Sequence, residues 1–238
     1  MIQDLLKGKL VERHFDDEIT KLNTELLKMA VLVKEAIYKS TTALEEQNKD
    51  LANSVIDSDG KIDELELVIE EHAINLLALF HPVAADLRFI TTGMRINAEL
   101  ERIADLAVNI AQRVLDLCDK PLLKPLVDIP KLSVIAQAMV KGAIESFVTR
   151  DEERARQVIV SDTQSDELRN EIQRELINDF MVKDGSCAPR AVPLLLVARH
   201  LERICDHATY IAEDVIYMVQ AKIVRHHPEM LKNDQFPG

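Results

Sequence analysis

The chain has 238 residues, 47% of them apolar and 29% charged, a globular composition that excludes a disordered polymer. Its 29 basic and 41 acidic side chains leave a net charge of −12, which repels nucleic-acid backbones and anionic membrane surfaces and attracts cations or a basic partner. Six glycines, eight prolines, no tryptophan and 4% aromatics favour helices over sheets.

Residues Met1 to Phe15 hold no apolar core with a cleavage site, so no signal peptide is expected. No run of eighteen uncharged apolar residues occurs, so no membrane span is expected either. Between Gly8 and Gly60 there are 51 residues without Gly or Pro, and Leu22, Leu26, Met29, Val33 and Ala36 recur at helical spacing. This predicts a first helix over 13–47. A second, over 50–80, has Asn48 as its start signal, and a third, over 83–118, has Pro82 in its first turn. Residues 120–130 contain Pro121, Pro125 and Pro130 and read as a linker. Beyond it the pattern predicts helices over 131–149, 152–182 and 189–225, the second opened by Asp151 and the third by Pro189. Residues 226–238 form a polar tail.

The two sides of the linker repeat one another. Displaced by 103 residues, Asp59, Asp63, Glu64, Leu65 and Ile69 meet Asp162, Asp166, Glu167, Leu168 and Ile172. Displaced by 101, Leu100, Glu101, Arg102, Ile103 and Asp105 meet Leu201, Glu202, Arg203, Ile204 and Asp206. That second block holds nine identities in fifteen positions, far beyond what shared composition produces. A period near one hundred is too long for a solenoid and indicates a duplicated three-helix unit. The expected fold is all-α: a tandem duplication of an antiparallel three-helix bundle with six long helices, the bundles covering 1–119 and 131–225.

Shared apolar positions follow from a shared core, but shared acidic positions do not. Asp59 and Asp63 stand four apart, as do Glu101 and Asp105, Asp162 and Asp166, and Glu202 and Asp206. That spacing places each pair on one helical face, where like charges destabilise a bare helix by about 0.2–0.5 kcal/mol. The plain alternative is a solvated acidic face softened by Arg102 and Arg203. Four pairs at equivalent places in two halves instead suggest rows on adjacent helices, presenting four carboxylates per half to a hard cation such as Mg, Mn, Ca or oxidised iron. No His stands among the eight, which argues against a zinc or copper cage.

Asp57 to Glu66 matches much of an EF-hand loop, but its first ligand position is Val55, the second copy has Arg169 in place of Glu66, and the helical pattern runs through it. Cys118, Cys187 and Cys205 lack metal-type spacing and read as small buried apolar residues in a reducing cytoplasm. No Ser/His/Asp or Cys/His arrangement and no phosphate-cradling glycine loop is present, so nothing predicts catalysis.

The words Asp86-Leu-Arg88, Glu101-Arg-Ile-Ala-Asp105 and Glu202-Arg-Ile-Cys-Asp206, set in two three-helix halves, resemble the PhoU family of phosphate-signalling proteins. The second half has Ala188-Pro-Arg190 in place of Asp-Leu-Arg. The resemblance implies a cytoplasmic, non-enzymatic negative regulator of the bacterial phosphate regulon, connecting the phosphate ABC transporter ATPase to a phosphate-sensing histidine kinase. It also implies a homodimer, and iron, manganese or magnesium ions on Asp59, Asp63, Glu101 and Asp105 in one half and on Asp162, Asp166, Glu202 and Asp206 in the other. Arg88, Arg102 and Arg203 are expected to pair within the bundle. A competing class is a carboxylate-bridged metal protein with redox or hydrolytic activity. A di-iron oxidase of that kind would need Glu-x-x-His pairs on inward faces, and the sequence lacks them.

Overall fold

A computed structural model describes the backbone of residues 2–222 and the side chains of 14–222. It is all-helical, with no strand among the described residues. The helices are α1 (Ile2–Glu46), α2 (Lys49–Ser58), α3 (Gly60–Phe80), α4 (Ala84–Leu117), α5 (Asp128–Thr149), α6 (Glu152–Arg174) and α7 (Ala188–Gln220). In the first half α1, α3 and α4 pack on each other with α2 against α1 and α4, and in the second α5, α6 and α7 do the same. The halves meet chiefly along α4 and α7, and also along α1 and α5.

Local sequence explains most of the boundaries. Asn48 caps α2 by accepting from Leu51 N–H at 3.0 Å, and Asp151 caps α6 by accepting from Arg154 N–H at 3.0 Å. Several expectations shift. Helix α1 begins at Ile2 and runs through Gly8. The helix expected over 50–80 is divided at Asp59 and Gly60, although Asp59 keeps helical angles (φ −59°, ψ −44°). Pro82 lies before the capping residue Val83, outside the first turn of α4, whereas Pro189 does sit in the first turn of α7. Helix α5 starts at Asp128 with Pro130 inside it, because a first-turn N–H has no intrahelical partner to lose. Helix α6 continues as a π-helical stretch over Glu175–Met181, where Val182 N–H donates to Ile177 C=O, five residues back. The end expected for the last helix at 225 and the tail over 226–238 lie outside the described residues.

One apolar core runs through both halves. Leu100, Ile103, Ala107, Ile110 and Val114 of α4 and Leu201, Ile204, Ala208, Ile211 and Val215 of α7 are all fully buried. Burying each large aliphatic side chain contributes about 1.5–3 kcal/mol, so this double stripe drives the halves together. Phe89 of α4 stacks on Phe147 of α5 with centroids 5.0 Å apart. Helix α5 is long and apolar enough to cross a membrane by composition, yet Leu132, Ala136, Met139, Val140 and Phe147 bury it in this core. Gly142 permits a close approach of α5 to α6: a β-carbon there would stand 2.9 Å from Val158 Cγ2.

Polar contacts fix the register of these helices. His72 of α3 places Nδ1 2.7 Å from Glu25 and Nε2 2.9 Å from Glu18, both on α1. Lys120 bridges three segments: its carbonyl accepts from Gln47 Nε2 at 2.9 Å and its amine donates to Pro189 C=O at 3.2 Å. That carbonyl would ordinarily accept the N–H of residue 193, but residue 193 is a proline buried within α7, so Lys120 supplies the missing donor. The three cysteines are unpaired, Cys187 and Cys205 buried and Cys118 half-buried.

Candidate metal centres

The two acidic rows of each half come together. In the first half Asp59 ends α2, Asp63 follows in the first turn of α3, and Glu101 and Asp105 lie on α4. A first-turn carboxylate is favoured by the helix dipole, which helps explain why Asp63 is tolerated beside Asp59. Burial pushes the Asp59 carboxyl above its ordinary range, and the charges of Asp63 and Asp105 push it further. Glu101 is raised by burial and then by Asp105, Glu66 and Asp63, with Arg102 opposing. Carboxylates of α3 and α4 therefore face one another, and Glu66, which the spacing argument passed over, joins the four expected residues.

The second half repeats the arrangement with one reversal. Asp162 is raised by burial, then by Asp166 and Glu202, against a hydrogen bond from Ser165. Asp206 is pushed up to about 6 by burial, then by Glu202, Asp162 and Asp166, with His207 opposing. Arg169, which occupies the place of Glu66 one repeat later, donates from Nη2 to Glu202 Oε1 at 3.0 Å and stands 3.8 Å from Asp166 Oδ1. A fifth carboxylate in one half is thus a guanidinium in the other. Cys205, beside this row, is buried, and that burial pushes its thiol up to about 12.

All-oxygen carboxylate sets that repel one another suit a hard cation, and the first half fits best because Glu66 stands where the second half has Arg169 against Glu202. Among the described residues no three His, Cys, Asp or Glu side chains converge tightly enough to form a ready ligand set. The rows bring the charges together without closing on a point. Of the three arginines expected to pair internally, Arg88 donates to Met218 C=O at 3.1 Å and Arg102 to Glu99 at 2.8 Å. Arg203 makes no such bond among the described residues.

The model of the PhoU domain matches the chain twice, over residues 26–114 and 129–215. The chain belongs to the PhoU family. A phosphate-specific transport system accessory protein PhoU homolog of Aquifex aeolicus is 43% identical over 209 residues, 88% of this chain and 94% of that protein. A Thermotoga maritima PhoU homolog is 32% identical over 222 residues, 93% of this chain and 94% of that protein. Among solved structures, PhoU from Pseudomonas aeruginosa superposes with a TM-score of 0.84 at 32% identity, covering 87% of this chain and all of that one. The phosphate transport system regulatory protein PhoU from Streptococcus pneumoniae superposes at 0.82 with 28% identity, covering 88% and 99%. Both PhoU matches span an acidic pair of rows, one in each half.

Proposed function

We propose that this chain is a negative regulator of the phosphate regulon, acting in the cytoplasm as an adaptor between the phosphate ABC transporter ATPase and a phosphate-sensing histidine kinase. The observation that carries the reading is the double PhoU match on a helical scaffold whose relatives are named accessory proteins of phosphate-specific transport. The protein would work as a homodimer. Its acidic rows would hold iron, manganese or magnesium, with Asp59, Asp63, Glu101 and Asp105 as ligands in one half and Asp162, Asp166, Glu202 and Asp206 in the other. A bound hard cation would supply charge neutralisation between the rows. The residues of this chain would position it by the facing of α3 on α4 and of α6 on α7.

Deletion of the protein tests the regulatory part. The regulon is expected to stay active in phosphate-rich medium when the protein is absent and to be repressed again on complementation. Continued repression in a deletion strain without a second paralogue would refute it. Sedimentation at micromolar concentration tests the dimer, and a strict monomer would remove it.

A further inference from the structure

The cavity between α6 and α7 has a chemistry that the first half lacks. It measures about 520 Å³ and is walled by Arg169, Arg199 and Arg203 beside Glu202 and Asp206, with Ile177, Leu195 and Leu196 as an apolar side. Arg199 and Arg203 lie one turn apart on α7, a like-charge spacing that destabilises the helix unless an anion answers it. Both are exposed, and among the described residues neither makes a hydrogen bond or ion pair. Of the nearby acids, Glu202 is taken by Arg169 at 3.0 Å. In the first half Ala98 stands where Arg199 does and Glu66 where Arg169 does, so this feature belongs to the second half alone among the two copies.

We propose that this cleft docks an acidic, amphipathic segment of a partner protein, its carboxylates on Arg199 and Arg203 and its apolar side chains on Ile177, Leu195 and Leu196. Guanidiniums bind carboxylates through two parallel hydrogen bonds, and a cationic patch on a chain of net charge −12 is a place where an acidic partner is drawn in and not repelled. A small inorganic oxyanion would leave the apolar wall and most of the volume uncovered. The inference rests on the adaptor reading and deepens it by assigning one face to one kind of partner.

The test is fluorescence anisotropy of the full chain with a labelled twelve-residue helical peptide carrying Glu on one face and Leu on the other. Wild type should bind it, weakening as salt rises, and should ignore the same peptide with Lys in place of Glu. R199E/R203E should lose about tenfold or more in affinity, and R199K/R203K, which keeps the charge but not the paired hydrogen bonds, should lose less. R199Q/R203Q, checked for an unchanged melting temperature, should fall between and guards against misfolding of the reversal. Absence of binding by wild type, or equal binding by wild type and the reversal variant, overturns the proposal. Displacement of the peptide by inorganic phosphate at low millimolar concentration, with sodium chloride of matched ionic strength without effect, also overturns it, in favour of a small-oxyanion site. These outcomes leave the adaptor reading standing, because the deletion strain decides that question separately.

Discussion

His207 Nδ1 of α7 lies 2.6 Å from Glu99 Oε2 of α4, and both side chains are buried. The second oxygen of Glu99 accepts from Arg102 at 2.8 Å. Further along the same antiparallel seam Arg95 donates to the buried Asp214 at 3.1 Å, and Arg88 to Met218 C=O at 3.1 Å. The polar contacts descend α4 as they ascend α7, so one register holds the halves. Glu99 is two residues from Glu101 and His207 is one from Asp206, which ties the two acidic regions to a single buried pair.

Removing either member of that pair leaves the other buried without its partner. Glu99→Leu and His207→Leu should each destabilise the protein by about 1–3 kcal/mol, and the double variant by less than their sum. A double-mutant cycle in urea measures the coupling. Strict additivity would mean that the contact contributes nothing to holding the halves.

The pH dependence of stability follows from Asp206. Its carboxyl is raised to about 6 in the fold, against about 4 in an unfolded chain, so the folded state binds more protons between those values. Stability from this group is therefore fully present below about pH 4 and is lost as pH rises through about 6. Asp59, Glu101 and Asp162, also raised, act in the same direction. Melting curves in chelator should show Asp206→Asn gaining on wild type as pH increases across that window. A constant difference between the two proteins would count against this electrostatic picture.

Cation binding should relieve the same repulsion. Asp105→Asn should stabilise the metal-free protein by a few tenths of a kcal/mol, as loss of a like-charge pair does. It should also forfeit most of the gain on adding Mn, Fe or Mg, which for wild type at a hundred times Kd is about 2.7 kcal/mol. Asp206→Asn should behave alike but less strongly, since Arg169 already answers Glu202 at 3.0 Å. Glu46→Gln, an acidic surface control, should show neither effect. Equal metal responses in all four proteins would return the rows to ordinary surface.

Gly142 offers a packing test away from the acidic rows. Alanine would normally help a helix interior by up to about 1 kcal/mol, but its β-carbon would meet Val158 Cγ2 at 2.9 Å. Gly142→Ala should therefore destabilise by about 1–3 kcal/mol as α5 and α6 are forced apart. Val158→Ala should cancel part of that loss. A stabilised Gly142→Ala variant would show that α6 has room to yield.

Much of this architecture is legible in the sequence because its signals are local. Asn48 and Asp151 announce helix starts by a chemistry that acts within three residues, and the twofold repeat exposes the acidic rows. The division at Asp59 is hard to read because its backbone stays helical and a lone glycine such as Gly60 is tolerated inside a helical pattern. The π-helical stretch over Glu175–Met181 is equally hidden, since its residues fit an α-helical pattern. Arg169 is legible as the residue in place of Glu66, but identities between the copies mark shared positions and give no weight to one where the charge changes sign. The pairing of Glu99 with His207 joins residues 108 apart, and only the packing of α4 on α7 brings them together.

The bridge made by Lys120 changes what the proline-rich connection is for. A plain tether tolerates added residues at small entropic cost. Here one residue holds the end of α1 through Gln47 and mends the gap that Pro193 leaves in α7. The connector is a splint, and its length is a dimension of the molecule. Inserting glycines before Lys120 would uncouple the opening of the last helix from the close of the first, and the consequence would be felt at the mouth of the second bundle, far in sequence from the insertion.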